Sequence, residues 1–149
     1  MKKLFIYYSL SGNGDTVASY LSKKGIDIRK IVAEDKMPKS MFLRILTGGF
    51  LAGINYKAKL INFDSNIDGY DEILIGSPIW NGRLSCPTNT VLDNLDLENK
   101  KIKFILYSGS GNAPKTEKKL KETYSNSEII NLMEPKKNNK EMETKLSNI

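Results

Sequence analysis

The chain has 149 residues, 40% hydrophobic and 27% charged, with a net charge of +6, one cysteine and no histidine. That size and balance suit one soluble globular domain, 1–149, with a sizeable core. The lone cysteine excludes an internal disulfide and points to a reducing cytoplasm; without histidine there is no Cys–His nucleophile, no histidine base and little to bind a metal, so no catalytic or metal residue is assigned.

Lys3 to Ser9 is apolar and aromatic and ends in turn residues, which predicts a buried strand. The preceding lysines and short apolar run resemble a secretion signal, but Ser9 to Asp15 interrupts the run before it reaches that length. Thr16 to Lys24 is a predicted helix, with Val17, Ala18, Tyr20 and Leu21 at helical spacing and Gly25 as its stop. Ile26 to Val32 alternates as an edge strand would.

Residues 37–63 carry a broken apolar set: Phe42, Leu43, Ile45, Leu46, Phe50, Leu51 and Ile54. It is too short and interrupted for a membrane span, so core packing is expected, around a short helix from Ser40. No membrane association is expected elsewhere either. Residues 72–77, EILIGS, form a second strand, apolar without alternation as in a strand covered on both faces.

A loop from Pro78 to Ser85 leads to a helix from Pro87 to Leu95, with proline at its first position. Ile102 to Tyr107 is the third apolar strand, Gly109 to Pro114 a loop, and Lys115 to Thr123 a charged helix. A last strand, Glu128 to Met133, and a weak helix, Asn139 to Ser147, complete the chain. Strands alternating with helices imply an α/β fold, a parallel sheet with helices on both faces. No repeat or linker divides it.

The charge is unevenly placed. Lys23 to Lys59 holds nine basic residues against Asp27, Glu34 and Asp35, which equals the whole net charge. A solvated basic surface is the first expectation, an acidic protein partner the second. A nucleic-acid-binding module is the rival of another class, but no aromatics interleave with these lysines, so no nucleic acid is expected.

The three strongest strands end in polar, glycine-bearing loops: Ser9 to Thr16, Ser77 to Gly82 and Ser108 to Asn112. In a doubly wound sheet such loops share the carboxyl edge, where ligands bind. The first, SLSGNGDT, leads into a helix, whose free N–H groups and dipole favour an anion. It has neither the lysine of a Walker loop nor the three-glycine dinucleotide spacing, and no cation serves it. Its donors are amides and short hydroxyls. Cys86 lies beside Pro87 at a helix start, where a thiol pKa can be lowered, yet capping or packing is its expected role.

Strand, SLSGNGDT, helix resembles the phosphate loop of the flavodoxin family, Ser/Thr-x-Thr/Ser-Gly-x-Thr. Ser9, Ser11 and Gly12 match it; Gly14 stands where the family has threonine, and Asp15 adds a charge beside the phosphate position. GSPIWNGRLSCPTNTVLDNLDLENKKIKFILYSGSGNA is similar to the family's second and third flavin loops, with their helix and strand. The resemblance implies a flavodoxin-like three-layer sandwich, a five-stranded parallel sheet of order 2-1-3-4-5 with helices on both faces, holding FMN at one edge. It assigns the FMN phosphate to Ser9, Ser11, Gly12, Asn13, Gly14 and Thr16. Pro78, Ile79, Trp80, Asn81 and Gly82 would run along the isoalloxazine ring, with Trp80 flanking it. Ser108, Gly109, Ser110 and Gly111 would meet its pyrimidine edge.

The function so implied is electron transfer between redox partner proteins, which would present an acidic docking face to this basic chain. The alternatives within the family are an FMN-dependent NAD(P)H:quinone or flavin reductase and an activator of ribonucleotide reductase. Donor, acceptor and oligomeric state stay open.

Overall fold

The computed structural model describes residues 1–34, 50 and 57–149. In chain order these form β1 (Lys3–Tyr7), α1 (Asn13–Lys23), β2 (Asp27–Lys30), β3 (Glu72–Trp80), β4 (Arg83–Leu84), α2 (Cys86–Asn94), β5 (Lys101–Ser108), α3 (Pro114–Thr123), β6 (Glu128–Met133) and α4 (Asn139–Lys145). The sheet runs β2-β1-β3-β5-β6, and every pairing along that path is parallel. Taken without β4, this is the expected 2-1-3-4-5 order.

The sequence reading left out one strand. β4 pairs antiparallel with the end of β3, Ile79 opposite Leu84 and Trp80 opposite Arg83. The loop expected from Pro78 to Ser85 is therefore a hairpin, closed by Asn81 and Gly82, both with positive φ (49° and 67°). Asn-Gly is the pair that such a two-residue turn requires.

Alternation along the interior strands builds two cores. Leu4, Ile6, Ile73, Ile75, Phe104 and Leu106 pack with Val91 of α2 and Leu120 of α3. Phe5, Tyr7, Leu74, Ile105 and Tyr107 pack with Val17, Ala18 and Leu21 of α1 and Met142 of α4. Two helices thus cover each face, which is why β3 reads as an unbroken apolar run rather than an alternating one. β2 and β6 are the edges, and Asp27 and Lys30 of β2 are exposed.

A row of charges crosses the amino ends of four strands. Lys3 pairs with Glu72 at 3.1 Å, Glu72 with Lys103 at 3.6 Å, and Lys103 with Glu128 at 2.9 Å. Most of the apolar set expected to pack between residues 37 and 63 lies outside the described residues. Phe50, which is described, is 67% exposed rather than buried. From the described end of that segment, Leu60 forms a single antiparallel bridge with Ala33.

Among the described residues, no helix is long and apolar enough to cross a membrane.

Candidate functional site

Parallel pairing brings the carboxyl ends of β1, β3 and β5 side by side. Tyr8, just past β1, donates its N–H to the Gly76 carbonyl of β3 at 3.1 Å and accepts a hydrogen bond from the Tyr107 hydroxyl of β5. Its ring meets Trp80 edge-on, with centroids 5.8 Å apart. The three loops singled out in the sequence therefore lie on one edge, the first and second in contact through Leu10 and Trp80.

In the first loop, Gly12 adopts the left-handed conformation (φ 92°) and caps α1, which starts at Asn13, three residues before the expected Thr16. Asn13, Gly14 and Asp15 accordingly occupy the first turn, where backbone N–H groups have no intrahelical acceptor and face outward past the helix end. The Thr16 hydroxyl is otherwise engaged: it donates to the Gly12 carbonyl at 3.1 Å. Ser11 is exposed, and its oxygen accepts from the Asn13 amide at 3.2 Å, which leaves the Ser11 proton free to donate. Ser9 Oγ is buried and has no hydrogen-bond partner. A buried hydroxyl without a partner costs free energy, and an anion at the helix terminus would offer it an acceptor.

Asp15, the charge that sat awkwardly beside an anion, is held elsewhere. Its carboxylate accepts from the Tyr7 hydroxyl at 2.9 Å and from Lys30 Nζ at 2.6 Å. Partial burial pushes its pKa up, but hydrogen bonds from Lys30 and Tyr7, the nearby Ser9 hydroxyl and the Lys30 charge outweigh it, so the carboxyl sits below its ordinary value. Ser9 lies near enough to contribute to that shift without forming a well-directed hydrogen bond, so its oxygen still counts as unpartnered. Burial, then the Asp15 carboxylate, raises the pKa of Tyr7.

Gly14 is set by its neighbours. A Cβ there would lie 2.5 Å from the Tyr107 hydroxyl and 2.8 Å from the Tyr7 ring. Burial raises the pKa of Tyr107 well above its usual value, so that hydroxyl stays protonated and donates to the Tyr8 carbonyl.

The second loop is the β3–β4 hairpin. Pro78 and Ile79 are half-buried in β3, and Asn81 and Gly82 form the turn, which is anchored by the Thr116 hydroxyl donating to the Gly82 carbonyl at 2.7 Å. Trp80 is 6% exposed, packed with Cys86, Tyr8, Leu10 and Ala58, so little of its ring is open. Cys86 is buried at the first position of α2; burial pushes its thiol pKa up, contrary to the lowering a helix start could have given, and packing is its role. In the third loop, Gly111 donates its N–H to Ser108 Oγ at 3.0 Å. The Ser110 hydroxyl turns to Asn112, while Gly109 and Ser110 are exposed at the tip.

One residue escaped the sequence reading. Lys136, in the turn between β6 and α4, donates its N–H to Asn13 Oδ1 at 3.0 Å. Its ammonium lies 3.7 Å from the position a Gly12 Cβ would take. The loop expected to have no cation has one beside it. Lys136 stands 123 residues from Asn13, too far for any local pattern to announce the contact.

The basic segment is also less bare than its composition suggests. Arg29 pairs with Asp64, Lys30 with Asp15, Lys57 with Asp93 and Lys59 with Glu34. Three of those acids lie outside the segment, where counting along the chain misses them.

A family model described as Flavodoxin matches residues 54–149. No curated protein matches the chain. Among solved structures, it superimposes on a candidate flavoprotein from Bacteroides eggerthii at 20% identity, TM-score 0.69, covering 97% of both chains. A flavoprotein in complex with FMN from Lactobacillus acidophilus is similar at 23% identity, TM-score 0.66, over 93% of this chain and 97% of that one. A flavodoxin from the domain Archaea aligns at 15% identity, TM-score 0.51, over 97% and 92%.

Proposed function

We propose that this chain, which belongs to the flavodoxin family, binds FMN at the carboxyl edge of β1, β3 and β5 and carries electrons between redox partner proteins. The observation that carries this reading is the buried, unpartnered Ser9 Oγ beside the outward-facing first turn of α1. It is a donor in want of an anionic acceptor, set at the end of the strand that leads into that turn. The residues present fit the group. Ser9, Ser11, Gly12, Asn13 and Gly14 would hold the terminal phosphate through hydroxyls and N–H groups, which bind an ionised acceptor more strongly than a neutral one. The Thr16 hydroxyl serves Gly12 and contributes by shaping the turn.

Bound there, FMN would supply the redox chemistry, and the protein the binding, the orientation and the electrostatics. Pro78, Ile79, Trp80, Asn81 and Gly82 would line one side of the ring and Ser108, Gly109, Ser110 and Gly111 its polar edge. The Thr116 hydroxyl anchors the hairpin turn that carries this wall. The basic surface, net +6, selects redox partners with an acidic docking face. The same reading makes 1–149 one domain working in the cytoplasm, where Cys86 stays a thiol.

A reductase using a nicotinamide donor is the second reading. It draws on a groove of about 620 Å³ beside the Asn81–Gly82 turn, lined by Lys57, Arg83, Lys115 and Lys119. Basic side chains there could receive a donor's phosphates.

Reconstitution of apo-protein with FMN, FAD and riboflavin tests the site. FMN should bind most tightly and give a flavin visible spectrum; equal or tighter binding of FAD or riboflavin overturns the terminal-phosphate assignment. Steady-state oxidation of NADH or NADPH, with and without a quinone, then decides between the two readings: turnover favours the reductase, its absence the carrier.

A further inference from the structure

Lys136 is fixed at the phosphate loop by its backbone while its charge is left unspent. Its N–H donates to Asn13 Oδ1 at 3.0 Å, and the Asn13 amide in turn donates to Ser11 Oγ at 3.2 Å. The turn carrying it is itself tied down: Glu134 donates its N–H to the Ser108 carbonyl at 3.0 Å, and the N–H groups of Lys137 and Asn138 both donate to the Glu134 carbonyl. Pro135, next in the chain, is buried.

The Lys136 side chain then lies along Gly12, with Cδ 3.6 Å and Nζ 3.7 Å from where a Cβ would stand. The acid of its own turn, Glu134, and the acid of the first turn of α1, Asp15, are already taken, by Lys137 and Lys30 respectively. Among the described residues, Lys136 itself has no ion-pair partner. A lysine whose main chain is bonded into an anion-binding turn, and whose ammonium is left without a carboxylate, has the arrangement of a charge reserved for a ligand.

We infer that Lys136 is the phosphate-recognition residue of the site, its ammonium facing the terminal phosphate monoester of the bound nucleotide. The inference rests on the FMN reading above and deepens it. Asn13 acts as a positioning residue, spending its side chain on Ser11 and Lys136 rather than on the ligand. A compact ammonium on a flexible stem suits a phosphate as a point charge, and its attraction grows with the charge it meets. It therefore favours the dianionic monoester of FMN over the neutral hydroxyl of riboflavin and over the less highly charged phosphates of FAD.

The test is titration of wild type, Lys136→Gln and Lys136→Arg with FMN and riboflavin at low and high salt. Lys136→Gln should weaken FMN about tenfold, the scale of one charge-assisted hydrogen bond, and leave riboflavin unchanged. Its FMN affinity should also depend less on salt than that of wild type, because one screened attraction is gone. Lys136→Arg should retain most of the affinity. If wild type prefers FMN and Lys136→Gln binds it equally well, the role of Lys136 is overturned and the FMN site stands. If the variant loses both flavins equally, Lys136 is structural and the inference again fails. If wild type shows no preference for FMN over riboflavin, the phosphate site itself is wrong and Lys136 falls with it.

Discussion

The Tyr107 hydroxyl occupies the space a side chain at position 14 would need: a Cβ on Gly14 would lie 2.5 Å from it. In an ordinary helix, replacing glycine by alanine stabilises by about 1 kcal/mol. Here Gly14→Ala should do the opposite, costing about 1–3 kcal/mol, the range for overpacking a filled core. Tyr107→Phe removes the obstructing hydroxyl but strips the Tyr8 carbonyl of its donor, at about 1 kcal/mol. The double variant should lose less than the two single losses together. Urea unfolding of all four proteins measures the coupling; strict additivity would show that the two groups do not collide.

Ser9 separates stability from binding. Its buried oxygen has no well-directed partner and gives the folded protein only a weak interaction with Asp15. Ser9→Ala should leave thermal stability equal to or slightly above wild type while weakening FMN by about 1.5–3 kcal/mol, as expected for a donor to a charged group. Riboflavin affinity is the control. A clear drop in stability would mean that Ser9 has a structural partner.

Asp15 gives an acid signature. Its pKa is lowered in the fold, so its stabilising effect is present above the unfolded value of 3.8 and is lost as the pH falls through the folded one. Wild type should exceed Asp15→Asn in stability near neutrality, and the gap should close below about pH 4, where the wild-type carboxyl also becomes neutral. The gap will be small, because the side chain is 43% exposed and solvent screens the pair. Denaturant midpoints at several pH values check it; a gap independent of pH would remove the carboxylate from the account.

The charge row at the amino ends of the strands predicts a different sensitivity. Glu72 is buried between Lys3 and Lys103, and Lys103 also serves Glu128. Burial pushes the Lys103 pKa down, but Glu128 and Glu72 more than restore it, so the ammonium is favoured in the fold. Lys103→Met should destabilise by about 1–2 kcal/mol, below the usual cost of orphaning a buried charge because Lys3 still serves Glu72. Adding Glu72→Met should recover part of that loss. Chemical denaturation of the single and double variants decides it, and a neutral Lys103→Met would mean that the row is electrostatically idle.

The interior strands were legible in the sequence because β1, β3 and β5 carry apolar runs, each followed by a polar loop, whereas their order came only from the resemblance to the flavodoxin family. The hairpin at Asn81–Gly82 was missed although its signal was present: Asn-Gly between apolar residues is a strong short-range turn signal, and β4 is only two residues long. α1 began three residues early because Gly12, in the left-handed conformation, caps it where no Ser or Thr side chain does. Lys136 and the carboxylate partners of the basic segment were not legible at all. They meet the site and its neighbours through tertiary contacts, and no local spacing encodes those.

β1 pairs with β3 through Lys3 opposite Glu72, so the strand that feeds the phosphate loop finds its central neighbour only after a chain excursion of nearly seventy residues. β3, β5 and β6, by contrast, follow one another over short connections, each with one helix and the first also carrying β4. Closing the long excursion costs entropy that the shorter ones avoid. Any molecule gripped by residues 9–16 is consequently a reporter of the last long-range closure. In a refolding experiment its signal should follow the completion of the whole sheet and lag behind the recovery of helical circular dichroism.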